Sequence, residues 1–305
     1  MKKFLLFIIF SLAITFVVDR VLAIGMSYIH QKSNFTDSYK LNMDVYNVDE
    51  DILFMGSSRA HHVYVPSVIE DTLGAPVYNA ALWGMQNIYF QYAMLNLILE
   101  RYTPKAIFYE VHPVDILKTP FSDTERLNKL SSYIGINGVT DSLMKFTGKY
   151  TYYKLSHLYR YNGSLINDLC GITIINNSQL DCGYKPLYTH VKEGEQPDDF
   201  NFPIDSVKLD FMNKFISLCK KKDIKLIFTC SPMYLRSPQI VETFNKFDSI
   251  AVSNKIPYID NLSNAEIVNN PRFFADRGHL NNEGAHKFSS IFAHQAKILL
   301  KDEKE

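Results

Sequence analysis

The sequence predicts an α/β protein, a layered sandwich around a central parallel sheet, tethered by an N-terminal transmembrane helix. Three observations predict it. Short, wholly apolar runs alternate with amphipathic helical segments, the pattern of strands buried on both faces. Gly or Pro punctuates several of these runs. A predominantly apolar stretch without charges, Phe4–Val18, follows Lys2 and Lys3. The 305 residues are 47% hydrophobic and 21% charged, a globular composition with enough apolar residues for a sizeable core. Basic and acidic residues balance at 32 each, with no cationic cluster. Nucleic acid is therefore excluded as a partner, because such binding draws on clustered contacts to phosphate.

Residues 1–26 are expected to form a transmembrane signal-anchor helix. Asp19 and Arg20 interrupt the apolar stretch and Val21–Met26 resumes it, which brings the length to what a bilayer needs, roughly 20 residues. Lys2 and Lys3 would stay cytoplasmic and the rest of the chain would lie outside the inner membrane, in the periplasm or beyond. A cleaved signal peptide is the rival, since Val21-Leu22-Ala23 resembles a cleavage site. A buried soluble helix fits worst, for Phe4–Val18 has no polar face. Without residues 1–26 the remainder carries a net charge of −2.

Residues 27–50 are polar and mixed, as in a linker, and residues 51–305 are expected to form the α/β domain. Strands are expected at Asp51–Met55, Pro76–Asn79, Ala106–Tyr109, Ile224–Thr229 and Ile256–Ile259. Helices are expected at Asn87–Arg101, with Ile88, Tyr92, Leu95 and Leu99 on one stripe, and at Val207–Lys222, Pro238–Ser253 and Glu283–Leu300. At about 112–202 the alternation stops, and this stretch reads as an insertion into the core. Eight of the 19 tyrosines fall between Tyr133 and Tyr188. They form either a sugar-binding surface or, the commoner arrangement, a satellite cluster beneath loops. Cys170 and Cys182, 12 apart, could close a disulfide in an oxidising compartment, while Cys219 and Cys230 fit as small buried hydrophobes. No C-x-x-C occurs.

Several signatures are absent: G-x-G-x-x-G after a strand, the P-loop, H-E-x-x-H and G-x-S-x-G. No His/Asp/Glu cluster has metal-ligand spacing, so no metal or other cofactor is expected. Two short motifs stand out. Gly56-Ser57-Ser58-Arg59 follows the first strand directly, where open α/β sheets gather their ligands. Asp276 and His279 follow the last strand, three residues apart in a loop. A carboxylate at that spacing can reach the imidazole Nδ1 and leave Nε2 to take a proton from a serine. Each motif alone has a plainer reading, a helix-capping serine in one case and an exposed loop histidine in the other. Their combination at one end of the sheet is the signal.

Gly56-Ser57-Ser58 resembles block I of the SGNH/GDSL hydrolase superfamily, with Gly-Ser-Ser in place of Gly-Asp-Ser. Phe274 to Asn281, containing Asp276 and His279, resembles its block V, and Tyr78 to Gly84 its block II. The matches spread from residue 51 to 300 and leave out the insertion and the N-terminal segment. This resemblance implies the flavodoxin-like three-layer SGNH fold. It implies Ser58 as nucleophile, His279 as general base and then acid, and Asp276 as its orienter. The N–H groups of Ser58 and Gly84 would form the oxyanion hole. The asparagine that block III normally supplies is missing from Tyr109-Glu110-Val111-His112-Pro113. Either another donor such as Asn87 replaces it or turnover is weak.

Around this site, Arg59 is a substrate-binding candidate for an anionic group, against the plainer reading of a solvated arginine. His112, with Asp115, is a second candidate for substrate contact. His61 and His62 come too soon after Ser58 to serve as base and read as surface or packing residues, with His61 a lesser pocket candidate. Glu110 reads as answering a local hydrogen-bonding need. Membrane-anchored relatives that modify cell-surface polysaccharides share the N-terminal helix and the Gly-Ser-Ser block. The expected function is thus a serine esterase or O-acyltransferase acting on acylated, especially O-acetylated, extracytoplasmic glycans. The alternative is an inactive scaffold partnering a membrane acyltransferase or polysaccharide export system. The expected partners are the ester substrate, the lipid bilayer and such an acyltransferase.

Overall fold

In the computed structural model of the chain, β1 (Ile52–Met55), β2 (Val77–Asn79), β3 (Ala106–Glu110), β4 (Lys225–Cys230) and β5 (Tyr258–Asp260) form one parallel sheet. Their order is β2-β1-β3-β4-β5, the flavodoxin-like order of a doubly wound sheet. The structure describes residues 1–119, 124–173, 180–197 and 201–301. Parts of the expected insertion therefore lie outside the described residues. Each strand lies within two residues of its expected position, because apolar runs of this kind satisfy both faces of a sheet only when helices cover them.

The period of two separates the faces. Phe54 pairs in register with Phe108, and their rings stack at 5.1 Å. Phe292 of the helix Asn282–Lys301 meets both, at 5.6 and 5.3 Å. The helix Pro66–Leu73 covers the same face through Ile69. On the other face Tyr109 pairs with Phe228, and Phe215 of the helix Ser206–Lys221 packs on Tyr109 at 5.0 Å. The helices Ile88–Ile98 and Pro238–Asn254 complete that layer, the first through Tyr89 against Phe211 and the second through Phe247 against Phe228. Every one of these phenylalanines is buried, and each contributes about 1.5–3 kcal/mol in burial. Asp205, Ser237 and Asn87 cap the helices that start after them.

The sheet and its helices belong to one compact unit, residues 48–121 and 179–305. Residues 1–47 and 122–178 form another. This second unit corrects two expectations. Residues 27–50 are not a solvated linker: the N-terminal helix runs from Lys2 to Lys32, and Thr36–Asn42 is again helical. Nor does the whole of 112–202 behave as one insertion, since only 122–178 joins the N-terminal segment. The cause is pairing at long range. His30 Nδ1 lies 2.7 Å from Asp168 and Tyr133 donates to Asn42 at 2.9 Å, all four residues buried, while Lys40 and Asp44, four residues apart, form a buried local pair. Polar residues that read as solvated are here the inside of a fold.

Within the N-terminal helix, Phe4–Val18 is exposed throughout its large apolar residues, while Ala23, Met26 and His30 are buried. The helix is long and apolar enough to cross a membrane. Tyr133 and Tyr161 stand edge-on to His30 at 5.9 and 5.6 Å, Tyr133 also meets Tyr46, and Tyr153 meets Tyr159, so the buried tyrosines of 122–178 cluster with the N-terminal segment. Cys219 and Cys230 are buried, as expected, and Cys170 and Cys182 are exposed cysteines outside any disulfide.

Candidate active site

The chain leaves β1 through Gly56, whose φ of +143° favours glycine. A Cβ there would sit 3.0 Å from both Cβ and the carbonyl oxygen of Glu110 at the end of β3. This close passage turns the backbone so that Ser58 opens the short helix Ser58–His61 at the carboxyl end of the sheet. Neither serine behaves as a cap. Ser57 makes no side-chain capping bond, and its buried Oγ has no partner among the described residues. The Ser58 hydroxyl instead lies 2.7 Å from Nε2 of His279, and Ser58 is half-buried.

The other end of this contact is built by the loop Phe274–Leu280. Ala275 N–H donates to the His279 carbonyl at 2.9 Å, closing the loop on itself. Asp276 Oδ1 accepts the N–H groups of Gly278 and His279 at 2.8 and 3.0 Å. The same carboxylate faces His279 Nδ1 at 2.9 and 3.0 Å. Burial alone would raise the Asp276 pKa. The hydrogen bond and charge attraction of His279, with the two N–H groups, outweigh it and hold the carboxyl at about 2. A carboxylate kept ionised in this way selects the tautomer with the proton on Nδ1, leaving Nε2 as acceptor toward Ser58. Ser58, His279 and Asp276 thus share one hydrogen-bonded chain.

Gly84 lies in the turn after β2 at φ +76°, half-buried. This turn is tied to the start of the site. Leu82 N–H donates to the Gly56 carbonyl at 3.4 Å, and Trp83 N–H donates to His61 Nδ1 at 3.1 Å. Gln91 Nε2 bridges the carbonyls of Gly56 and Met85, each at 2.9 Å. Asn79 adds a further tie, its Nδ2 donating to the carbonyls of Ala60 and Tyr64 at 2.8 and 2.9 Å. Sequence reasoning missed Gln91 and Asn79. The available signal was a buried-type position carrying an amide next to a glycine turn. Asn87 is fully buried, and its Oδ1 accepts the Phe90 N–H at 2.8 Å, so its carbonyl end caps a helix.

Three sequence expectations need correction. Arg59 is neither solvated nor a substrate contact. It is buried, its Nε donates to Glu110 at 3.0 Å, and its Nη2 donates to the Ser231 hydroxyl at 3.1 Å and to the Ser231 carbonyl. Glu110 also accepts from Tyr64 at 2.6 Å and from Ser231, so it does answer a buried hydrogen-bonding need. The signal for this pair was an acidic residue closing an otherwise apolar strand. His112 is likewise spent locally: its N–H donates to Asp115 at 2.9 Å and its Nδ1 accepts from Val114 at 3.2 Å, closing the turn Pro113–Asp115. His61 and His62 are packing residues but not surface ones. Both are buried, and their rings stack at 4.9 Å. His62 stands edge-on to His279 at 6.0 Å and donates from Nδ1 to the Lys185 carbonyl at 2.7 Å. Burial lowers its pKa to about 4 against that hydrogen bond, and the neighbouring His279 lowers it further. His62 therefore carries no positive charge beside the site near neutral pH.

No family model and no curated protein sequence matches the chain. Among solved structures the chain is similar to a GDSL-like lipase from Bacteroides thetaiotaomicron, at 12% identity and a TM-score of 0.41 over 82% of this chain and 88% of that one. It is also similar to an acetyl xylan esterase, AlAXEase, at 14% identity and a TM-score of 0.41 over 80% of this chain and 98% of that one. At these scores the likeness carries no argument, and the functional reading stands on the geometry of Ser58, His279 and Asp276.

Proposed function

We propose that the chain is an SGNH-type serine ester hydrolase or O-acyltransferase. The observation that carries this reading is the chain of contacts from Ser58 Oγ to His279 Nε2 at 2.7 Å, and from His279 Nδ1 to Asp276 at 2.9 Å. Ser58 Oγ attacks an ester carbonyl while Nε2 takes its proton, and Asp276 stabilises the resulting imidazolium. The tetrahedral oxyanion is met by the N–H groups of Ser58 and Gly84. Collapse breaks the bond to the alcohol, which leaves with the proton from Nε2. The acyl-serine then passes its acyl group to water, or to a sugar hydroxyl, activated by the same imidazole.

The substrate class within this reading is an acylated glycan outside the inner membrane. It rests on the resemblance in blocks I, II and V and on the N-terminal helix. Retention of that helix fits its packing. A cut after Ala23 would run through a segment in which Ala23, Met26 and His30 are buried. A scaffold role remains the second reading, and one observation favours it. The position after β3 that normally offers an asparagine is taken up by the capping turn of His112 and Asp115.

A fluorophosphonate probe separates the two. The enzyme reading expects one label per chain, lost in Ser58→Ala and sharply reduced in His279→Ala. A folded chain that takes no label overturns it and leaves the scaffold. A panel of p-nitrophenyl esters of rising chain length then reports the acyl group, and a short-chain preference is expected for an O-acetylated substrate.

A further inference from the structure

The turn after β2 points its largest apolar side chain outward. Leu82 and Met85 are buried, whereas Trp83 between them, the only tryptophan in the chain, is 63% exposed. Single exposed apolar residues are ordinary on a protein surface. This one is set apart by how its backbone is held and by where it stands. Trp83 N–H donates to His61 Nδ1 at 3.1 Å, Leu82 N–H to the Gly56 carbonyl at 3.4 Å, and Met85 N–H to the Leu82 carbonyl at 3.2 Å. Gln91 adds its bond to the Met85 carbonyl at 2.9 Å. The chain is thus tied on both sides of an indole that stays in water. An indole face in water is unfavourable, and the flat apolar face of a ligand would relieve it.

Two neighbours place Trp83 at the site. The next residue is Gly84, the second oxyanion donor of the proposed mechanism. A Cβ on Gly84 would meet nothing within 4 Å, so the space beside the donor is open. The other neighbour is His61. It closes the short helix that Ser58 opens and stacks on His62 at 4.9 Å, and His62 stands edge-on to His279 at 6.0 Å. A run of rings therefore leads from the catalytic imidazole to the backbone of Trp83. In ester cleavage the alcohol leaves with the proton from His279 Nε2, and so departs on the imidazole side. Trp83 stands where that run ends.

We propose that Trp83 is the platform on which the alcohol portion of the ester, a pyranose ring, stacks. A sugar ring carries hydroxyls at its rim and C–H groups on its faces. It can lie flat on an exposed indole with its rim still in water, whereas an acyl chain calls for an enclosed apolar pocket. Binding energy gained there, away from the reacting carbonyl, positions the ester against Ser58. Trp83 is then a residue that determines specificity. The inference rests on the esterase reading and deepens it by giving the sugar its place.

Because the chain has one tryptophan, its fluorescence reports on this position alone. The full chain in detergent, carrying Ser58→Ala so that no ester is turned over, is titrated with mono-O-acetylated methyl pyranosides of the gluco, galacto and manno series. At least one is expected to change the emission saturably and to reduce acrylamide quenching several-fold. With Ser58 intact, Trp83→Ala is expected to lower kcat/KM for that pyranoside, relative to ethyl acetate, by about 10-fold, and Trp83→Phe to restore most of it. No response to any of the three sugars overturns the platform, even where a fluorophosphonate labels Ser58. A saturable response in a chain that takes no label keeps the sugar platform and removes the esterase. Equal losses for pyranoside and ethyl acetate in Trp83→Ala overturn the proposal and make Trp83 a support of the Gly84 turn. A greater loss for ethyl butyrate than for ethyl acetate overturns it in favour of the acyl chain. A blue shift on transfer into vesicles of phosphatidylethanolamine and phosphatidylglycerol, with no response to the sugars, overturns it in favour of a lipid surface.

Discussion

Arg59 Nε donates to Glu110 at 3.0 Å with both side chains buried, joining the residue after Ser58 to the last position of β3. Ser231, just beyond β4, is held by the same carboxylate through its N–H and its hydroxyl. The floor of the site is thus a buried polar network that ties three adjacent strand ends together. Removing one partner of such a pair leaves an uncompensated charge. Glu110→Ala is expected to destabilise the fold by about 3–5 kcal/mol in chemical denaturation, a large share of a typical total of about 5–15 kcal/mol. A loss below about 1 kcal/mol would show that the network is not needed for stability.

Asp276 acts on His279 and on folding. Asp276→Asn keeps the shape but no longer enforces the proton on Nδ1, and a fall in kcat of about 10⁴ is expected for ester hydrolysis. Its folded pKa of about 2 lies below the ordinary carboxylate value. The stability it contributes is therefore present above about pH 4 and disappears as pH falls toward about 2. Acid unfolding of Asp276→Asn should lack that segment of the wild-type curve. Identical curves for the two proteins would contradict the assignment.

His62 acts in the same sense, in a higher pH window. Its folded pKa of about 4 lies below the ordinary imidazole value of about 6.5, so the unfolded chain binds the proton first. Stability then rises with pH between about 4 and 6.5 and is flat in this term above that window. Denaturant midpoints measured across the window should fall on acidification in wild type and fall less in His62→Gln. A slope unchanged by the substitution would assign the effect to other groups.

Gln91 holds the Gly84 turn against Gly56 by two bonds from one amide nitrogen, and each such bond contributes about 0.5–1.5 kcal/mol. Gln91→Ala should lower kcat for a p-nitrophenyl ester by about 10-fold to 100-fold, less than the loss of about 10² to 10³ that follows outright removal of an oxyanion donor. The fluorophosphonate label should still form, more slowly. Unchanged kcat would mean that the turn keeps its place without the bridge.

Gly56→Ala introduces a Cβ at φ +143° and 3.0 Å from two atoms of Glu110. A destabilisation of about 1–3 kcal/mol is expected from strain at such a backbone. Because the shift propagates to Ser58, labelling should fall with it. A variant with native stability and full labelling would show that β1 can leave the sheet by another route.

The five strands were readable because being apolar on both sides is a local property, visible over four to six residues. Ser58, Asp276 and His279 were readable as types, since each follows a strand and opens at the carboxyl end of the sheet. Arg59 misled because its partner Glu110 is 51 residues away, and a cation beside a nucleophile looks the same in sequence whether it faces substrate or core. His112 misled in a different way. A histidine followed by proline and an aspartate three residues on is a cap that resembles a binding loop.

The sequence by itself determined the alternation of apolar runs and helices, the long apolar N-terminal helix and the placing of Gly56-Ser57-Ser58 and Asp276-x-x-His279 after the first and last strands. Only the tertiary structure decided that residues 1–47 fold with 122–178, and that Asp168 turns inward while Ile166 turns outward. It also decided that Ser58 lies within 2.7 Å of a ring 221 residues along the chain. Secondary structure follows from neighbours a few residues apart. The partners of a buried charge, and the distance between two loops, are set by packing that brings remote segments together.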